Sequence, residues 1–508
     1  MKLPQPPTGP LFTAQQVRGI ELTYAETSDQ GTFPLMEKAG QAAFDCLLQY
    51  WPDARKILVL SGKGNNGGDG YIVAALAKSA GFEVTLCCFC EPEKLQGDAK
   101  IAYEQLQKFD IARADWSEID LNDYQVLVDA MLGTGISGAV RAPFIEPIES
   151  INRHEIPVLS IDIPSGLNAN TGEVVNCAIK AQITMTYIGL KQGLYTGDAA
   201  DFRGKVLVDG LDISTQCFTA YESEVQAENW FTLNHRLAPR LPSAHKGANG
   251  HCVIIGGANG YTGAAILVSK AAARCGAGLT STWLEGGALA LVSTFPEVMA
   301  KNIPEHEVMS QVNELSVHHV LVIGPGLGKK NWGQSWMSAV TKHDGFDSMM
   351  KVIDADGLNW LAQNHLTNEK WVLTPHPGEA SRLLNKKVNA INADRYAAAR
   401  EIAKKYGGVC VLKGAGTVIA DQSGKTIVCP VGNPGMGTGG MGDVLSGIVG
   451  GLLAQGISLF EAATLAVVIH GEAADRAAGE NANYRGLIAS DLFAYLPQLV
   501  NPPISEKC

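Results

Sequence analysis

One local pattern recurs along the chain: an apolar run of strand length, a short loop rich in Gly, Asp, Asn or Ser, then a helical pattern. "ARKILVLSGKGNNGGDGYIVAALAKSAGFEVTLCCF" and "GHCVIIGGANGYTGAAILVSKAAARCGAGLTS" each read strand, glycine loop, helix, strand. "YQVLVDAMLGTGISG" and "IPVLSIDIPSGLNANTGEV" continue the pattern in the first half. "HHVLVIGPGLG", "MKVIDADGLNWLA", "KWVLTPHPGEASRLL" and "GVCVLKGAGTVIA" continue it in the second. Strands that alternate with helical patterns belong to parallel sheets covered on both faces. Such sheets bind ligands beyond the carboxyl ends of their strands, where all these loops fall. The fold class is therefore α/β, with two domains. The Pro-, Asn- and Gly-containing segment 227–250 has weak periodicity and reads as a linker and entry segment. The domains are placed at 1–225 and 226–508.

With 508 residues, 46% hydrophobic and 18% charged, the chain has the composition of a soluble globular protein. The net charge of −11 and the lack of a basic tract argue against nucleic acid or an anionic membrane as partner. An anionic ligand must then be held locally, by helix N-termini, a few Lys residues or a metal. No run approaches the roughly 18 apolar residues of a membrane span, and the first residues carry no signal-peptide core. A cytoplasmic protein is expected. Cys87 and Cys90 form a C-x-x-C, but inside the apolar run "FEVTLCCFC", so the eleven Cys read as reduced core thiols.

"GMGTGGMGDVLSG" contains a formal G-x-G-x-x-G at residues 437–442, followed by Asp443. A dinucleotide fold would need this loop to open its domain and an acid about 20 residues on. The loop comes late, and Glu461 at that distance sits in a helical pattern, in a Ser458-x-x-Glu461 capping box. No G-x-x-x-x-G-K-[ST] occurs. The remaining reading is phosphoryl transfer to a hydroxyl. Glycine amides and the N-terminus of a helix starting at Asp443 face the phosphate. Asp443 takes the proton of the attacking hydroxyl. Its bland role is that of a helix cap.

The first half also has a G-x-G-x-x-G, at residues 62–67, with Glu91 beyond the next apolar run. Asn65 and Asn66 stand at loop positions a dehydrogenase keeps small or apolar, and Asp69 would repel a pyrophosphate. A cap at the helix start is the bland role of Asp69. Asn66, Asp129 and Ser165 follow three different strands and offer only oxygen, a set for a hard ion rather than zinc or copper. With one carboxylate among them, a monovalent ion fits better than Ca²⁺.

"NPGMGTGGMGDVLSG", "GGANGYTGAAIL", "VIGPGLG", "TPHPGEASRLL" and "VLKGAGTVIA", in that family's order, resemble the NAD(P)H-hydrate dehydratase branch of ribokinase-like proteins. The departure is Met441 inside the glycine run. "GNNGGDG", "DAMLGTGISG" and "DIPSGLNANTGEV" resemble the NAD(P)H-hydrate epimerase family. These resemblances imply a Rossmann-like three-layer αβα domain followed by a ribokinase-like αβα domain. They imply repair of NADHX and NADPHX, the hydrated, inactive forms of the reduced cofactors. The first domain would equilibrate R and S epimers; the second would phosphorylate the hydroxyl of the S form with ADP, releasing AMP and phosphate, and eliminate it.

Residue by residue, the resemblance implies hydrate binding by Asn65, Asn66, Gly67, Gly68 and Asp69, and by Gly133, Thr134, Gly135, Ile136, Ser137, Gly138 and Ala139. It implies K⁺ at Asn66, Asp129 and Ser165, and places Asp162 at a substrate contact, where a carboxyl that gives and takes a proton would assist epimerisation. Lys191 could steer substrate phosphates, although a solvated surface lysine is its default reading. In the second domain Asp443 is the implied base and substrate contact, and Ala264, Gly326 and His376 lie near the hydrated cofactor. Gly442 with Lys413, Gly414, Ala415, Gly416 and Thr417 would hold the adenylate. His376 could equally fix its own loop. Glu379 could position Mg²⁺ through water, or act only as an N-terminal helix acid. A homo-oligomer acting on small molecules is expected. A ribokinase-type kinase with a fused nucleotide-binding domain, or a non-catalytic nucleotide sensor, are the competing functions.

Overall fold

The computed structural model describes residues 5–136 and 138–501. It divides into two compact units between Ala227 and Glu228. The segment read as a linker therefore opens the second unit. Trp230 and Leu233 explain why: both are buried in that unit's core, and the Trp230 indole donates to the Leu499 carbonyl at 3.0 Å.

In the first unit a seven-stranded parallel sheet runs in the order Ala112–Arg113, Glu83–Cys88, Lys56–Ser61, Val126–Ala130, Val158–Ile161, Ile183–Tyr187, Lys205–Asp209. Successive side chains on a strand face opposite sides. Ile57 and Val59 pack under the helices Phe33–Tyr50 and Asn65–Ser79, whereas Leu58 and Leu60 pack on the other face with Ile148 and Ile151 of the helix Ile145–His154. That two-sided burial makes the strand apolar along its length. The chain starts at Lys56–Ser61, runs to one edge and returns to Val126–Ala130, so the strand order reverses between these two. Their carboxyl ends open the crevice where such sheets bind ligands.

The second unit orders its strands Met299–Asn302, Leu279–Leu284, His251–Ile255, His319–Ile323, Lys351–Ile353, Trp371–Leu373, Val409–Leu412, all parallel. An antiparallel pair, Thr417–Asp421 and Thr426–Cys429, extends it. Here the order reverses between His251–Ile255 and His319–Ile323. The helices Met441–Ala454, Thr262–Arg274 and Leu459–Ala478 cover one face, and Val444, Leu445, Ile448, Val449 and Leu452 are buried there as the periodicity predicts. Ser458 precedes the helix Leu459–Ala478 but makes no side-chain capping bond, so the expected capping box is not formed. No helix among the described residues is long and apolar enough to cross a membrane.

Candidate active sites

In the second unit the strand ends converge on Asp443. The helix that carries it begins at Met441, two residues earlier than the pattern suggests, behind Gly440 at φ +89°. The positive φ is what calls for glycine there; a Cβ would also lie 2.6 Å from the end of the Leu267 side chain, which could shift. Asp443 is thus in the first turn and is not the cap; the helix has no side-chain cap. Its carboxyl has no hydrogen bond among the described residues. Burial first, and Asp354 second, push it up to about 7 against the opposing Lys413 charge.

Lys413, at the end of Val409–Leu412, donates to Asp354 Oδ1 at 2.9 Å and lies 3.9 Å from Glu379 Oε2. Burial disfavours its charge, but Asp354, Glu379 and Asp443 outweigh that and hold the ammonium above the ordinary lysine range. Asp354 is 2% exposed; it also accepts from its neighbour Ala355 N at 2.9 Å and from Ser446 Oγ at 2.7 Å. Ser446 belongs to the helix of Asp443, so Asp354 ties that helix to Lys413. Gly442 abuts both: a Cβ there would be 3.3 Å from Lys413 Nζ and 3.8 Å from Asp354 Oδ2.

His376 is the N-cap of the helix Pro377–Leu384. Its Nδ1 accepts from Gly378 N at 2.9 Å, while Glu379 Oε2 accepts from His376 N at 2.8 Å, so the loop-fixing role is realised. Its ring remains half exposed, and burial with the Lys413 charge lowers its basicity. Glu379 is buried, which raises its carboxyl above the usual range against Lys413. Ala264 and Gly326 meet at the switch point, where a Cβ on Gly326 would be 3.1 Å from that of Ala264. Gly414, Ala415 and Gly416 form the turn into Thr417, whose hydroxyl donates to Gly414 O at 3.1 Å. Beneath them Arg395, 3% exposed, donates to the Leu412 and Lys413 carbonyls at 3.1 and 3.2 Å.

In the first unit a cavity of about 1170 Å³ opens at the switch point. Asn65, Asn66 and Asp69 line it from the helix Asn65–Ser79. Gly133, Thr134, Gly135, Ile136 and Ala139 line it from the loop after Val126–Ala130. Asp162, just after the strand Val158–Ile161, and Lys191 line it too. Gly138 is in the same loop at φ +81°, and Ser137 lies outside the described residues. Gly67 and Gly68 are not on the wall. They are packing positions: a Cβ at Gly67 would be 2.1 Å from Gly62 O, and one at Gly68 2.6 Å from Met36. Asp69 is four residues inside the helix, which Gly64 precedes, so it is no cap. Burial, with Asp162 and Glu21 nearby, holds its carboxyl well above the usual range.

Asp129 is fully buried below the wall. It accepts from Ser160 Oγ at 2.8 Å and from Ser165 N and Oγ at 2.9 and 2.5 Å. Ser165 Oγ also contacts Leu132, next to Gly133, whose missing Cβ would touch Asn66. The amide of Asn66 is buried and both its atoms lack a partner. Lys191 is not a surface lysine: its side chain is 1% exposed, ion-paired with Asp162 and bonded to Tyr187 O at 2.7 Å. Asp162 itself sits at φ +64°. Glu91 pairs with Lys94 on the surface at 2.8 Å and does not line the cavity.

Residues 252–498 match the family model described as NAD(P)H-hydrate dehydratase, and residues 32–193 the model of the YjeF-related protein N-terminus. The bifunctional NAD(P)H-hydrate repair enzyme of Coxiella burnetii is 44% identical over 97% of this chain and 99% of its own. That of Escherichia coli is 42% identical over 98% of this chain and 95% of its own. The chain belongs to the bifunctional NAD(P)H-hydrate repair enzyme family. Among solved structures, a ribokinase-like superfamily protein from Enterococcus faecalis is 28% identical, with a TM-score of 0.49 over 55% of this chain and 96% of that one.

At these sites the residues that the sequence motifs do not mark are Asp354, Arg395 and Ser446 in the second unit and Glu21 in the first. "VIDADG" fits the strand-end pattern, so Asp354 had a signal. Arg395, Ser446 and Glu21 lie inside helices, where nothing in the sequence separates them from ordinary polar positions.

Proposed function

We propose that the first unit interconverts the R and S epimers of NADHX and NADPHX, and that the second dehydrates the S form with ADP, giving AMP and phosphate. For the second unit the supporting observation is Asp443, a carboxyl without hydrogen bonds among the described residues, raised toward neutrality in the first turn of a helix near Lys413. Asp443 takes the proton of the substrate hydroxyl as its oxygen attacks the terminal phosphorus of ADP. The bond to AMP breaks with its electron pair on the AMP oxygen. The amides at the helix N-terminus and the Lys413 ammonium stabilise the charge on the transferring group. Phosphate is a far better leaving group than hydroxide, and its elimination restores the nicotinamide ring. The turn of Lys413, Gly414, Ala415, Gly416 and Thr417, with Gly442, holds the adenylate; Ala264, Gly326 and His376 hold the hydrate.

Mg²⁺ keeps much of its water and is bound largely through substrate phosphates, so the outer-sphere carboxylate of Glu379 fits it; bound, it would neutralise phosphate charge. In the first unit K⁺ fits Asn66, Asp129 and Ser165: the partnerless, buried Asn66 amide supplies a neutral oxygen, and one carboxylate suits a monovalent charge. Asn65, Asp69 and the 133–139 loop bind the hydrate, and Asp162 exchanges a proton with its hydroxyl.

The test is an R/S mixture of NADHX with Mg²⁺, K⁺ and ADP, followed by the return of reduced-nicotinamide absorbance. Complete, fast, ADP-dependent recovery is expected. Recovery of the S fraction alone, with the rest at the spontaneous rate, removes the epimerase. A stable phosphorylated product from another substrate would instead identify a kinase.

A further inference from the structure

Exchanging a hydroxyl between two faces of a carbon requires one group to give a proton and another to take one. Around the cavity of the first unit stand carboxyls from four elements: Glu21 of the helix Ala14–Glu26, Asp69, Asp98 of the helix Gly97–Leu106, and Asp162. Their surroundings differ. Asp162 is ion-paired with Lys191, and Asp98 accepts from the Thr32 hydroxyl. Glu21 and Asp69 have no hydrogen-bond partner among the described residues. Asp69 is almost wholly buried, whereas Glu21 is only partly buried on the cavity wall.

We propose that Glu21 is the second acid–base group of the epimerisation, working with Asp162. The proposal rests on the reading of this cavity as the epimerase site. It adds a residue from a helix that precedes the span 32–193 matched by the family model. Protonated Glu21 gives its proton to the carbinol oxygen. The C–O bond breaks with its pair on oxygen, water leaves, and the ring-nitrogen lone pair forms the C=N⁺ bond. Water adds to the other face, the C=N pair returns to nitrogen, and the Asp162 carboxylate takes the proton released. Nothing is oxidised or reduced, and solvent at the cavity mouth restores the starting protonation states.

The environment of Glu21 agrees. Burial raises its carboxyl to about 7, with Asp162 and Asp98 adding to the rise and Lys191 and Arg18 opposing it. Asp69 faces it from the helix Asn65–Ser79. A group that changes charge near neutrality both gives and takes a proton readily.

The experiment converts R-NADHX to S-NADHX with the full chain and K⁺, without ADP, resolving epimers by chromatography across the neutral pH range. For the wild type, kcat/KM should fall as pH rises through about 7, because ionised Glu21 has no proton to give. Glu21→Gln should lower kcat about 10²-fold with KM nearly unchanged and abolish that limb, while Glu21→Asp restores part of both. Glu21→Gln matching wild type in rate and pH limb overturns the proposal alone. A wild-type chain no faster than spontaneous epimerisation overturns the epimerase reading and the proposal with it.

Discussion

Asp443 carries two opposed demands. A base must be ionised to accept a proton, yet burial and Asp354 raise its carboxyl from 3.8 to about 7. Dehydration of S-NADHX should therefore rise with pH through about 7 and level off above it. Asp443→Asn should lower kcat about 10²–10⁴-fold with little change in KM, measured with pure S epimer and ADP. The sign for stability is opposite. The folded carboxyl binds its proton more tightly than the unfolded one, so its contribution is intact below about 3.8 and is lost as pH rises toward about 7. Asp443→Asn should thus raise the thermal unfolding temperature above neutrality and make little difference in strong acid. Asp443 was legible because a carboxylate closing a glycine run is unusual. That it does not cap the helix was not, since the cap depends on Gly440 starting the helix at Met441. Lys191 misled for a related reason: its partner Asp162 comes from another strand end, and an isolated lysine in a sequence is most often solvated.

Strands and the glycine joints after them form the next scale. Apolar runs ending in polar loops identified the parallel strands because two-sided burial leaves them no polar face. Segment 227–250 looked like a linker because its helix Trp230–Leu233 is too short to show a period, although Trp230 anchors it in a core. The motif glycines divide into two kinds that a pattern cannot distinguish. Gly133 borders the cavity, while Gly62 and Gly67 let the loop, the helix Asn65–Ser79 and the neighbouring strand end pass at contact distance. A Cβ at Gly62 would stand 1.9 Å from Met131 O, a backbone atom that cannot turn aside. Gly62→Ala must therefore push apart the two strand ends at the switch point. R-to-S conversion should be lost, while ADP-dependent dehydration of pure S-NADHX by the same chain remains near wild type, because the second unit has its own core and its own site.

Over the whole molecule the two proposed activities act in series on one pool of damaged cofactor. Spontaneous hydration supplies both epimers, and a phosphoryl-transfer site that places one hydroxyl against Asp443 accepts one of them. The other must pass through the first unit. Asp162→Asn removes the carboxylate that faces Lys191 in the epimerase cavity. With an R/S mixture and excess ADP, recovery of reduced nicotinamide should become biphasic: the S fraction at the wild-type rate, then the remainder at the spontaneous epimerisation rate. Replacing K⁺ by a large organic cation should give the same two phases in the wild type if the K⁺ proposed at the buried Asn66 amide serves the epimerase. The two interventions differ in reversibility. Added K⁺ should restore a single phase in the wild type and leave Asp162→Asn biphasic. A first phase slowed by K⁺ removal would place the ion's action in the dehydratase instead, and would set Asn66, Asp129 and Ser165 aside as its ligands.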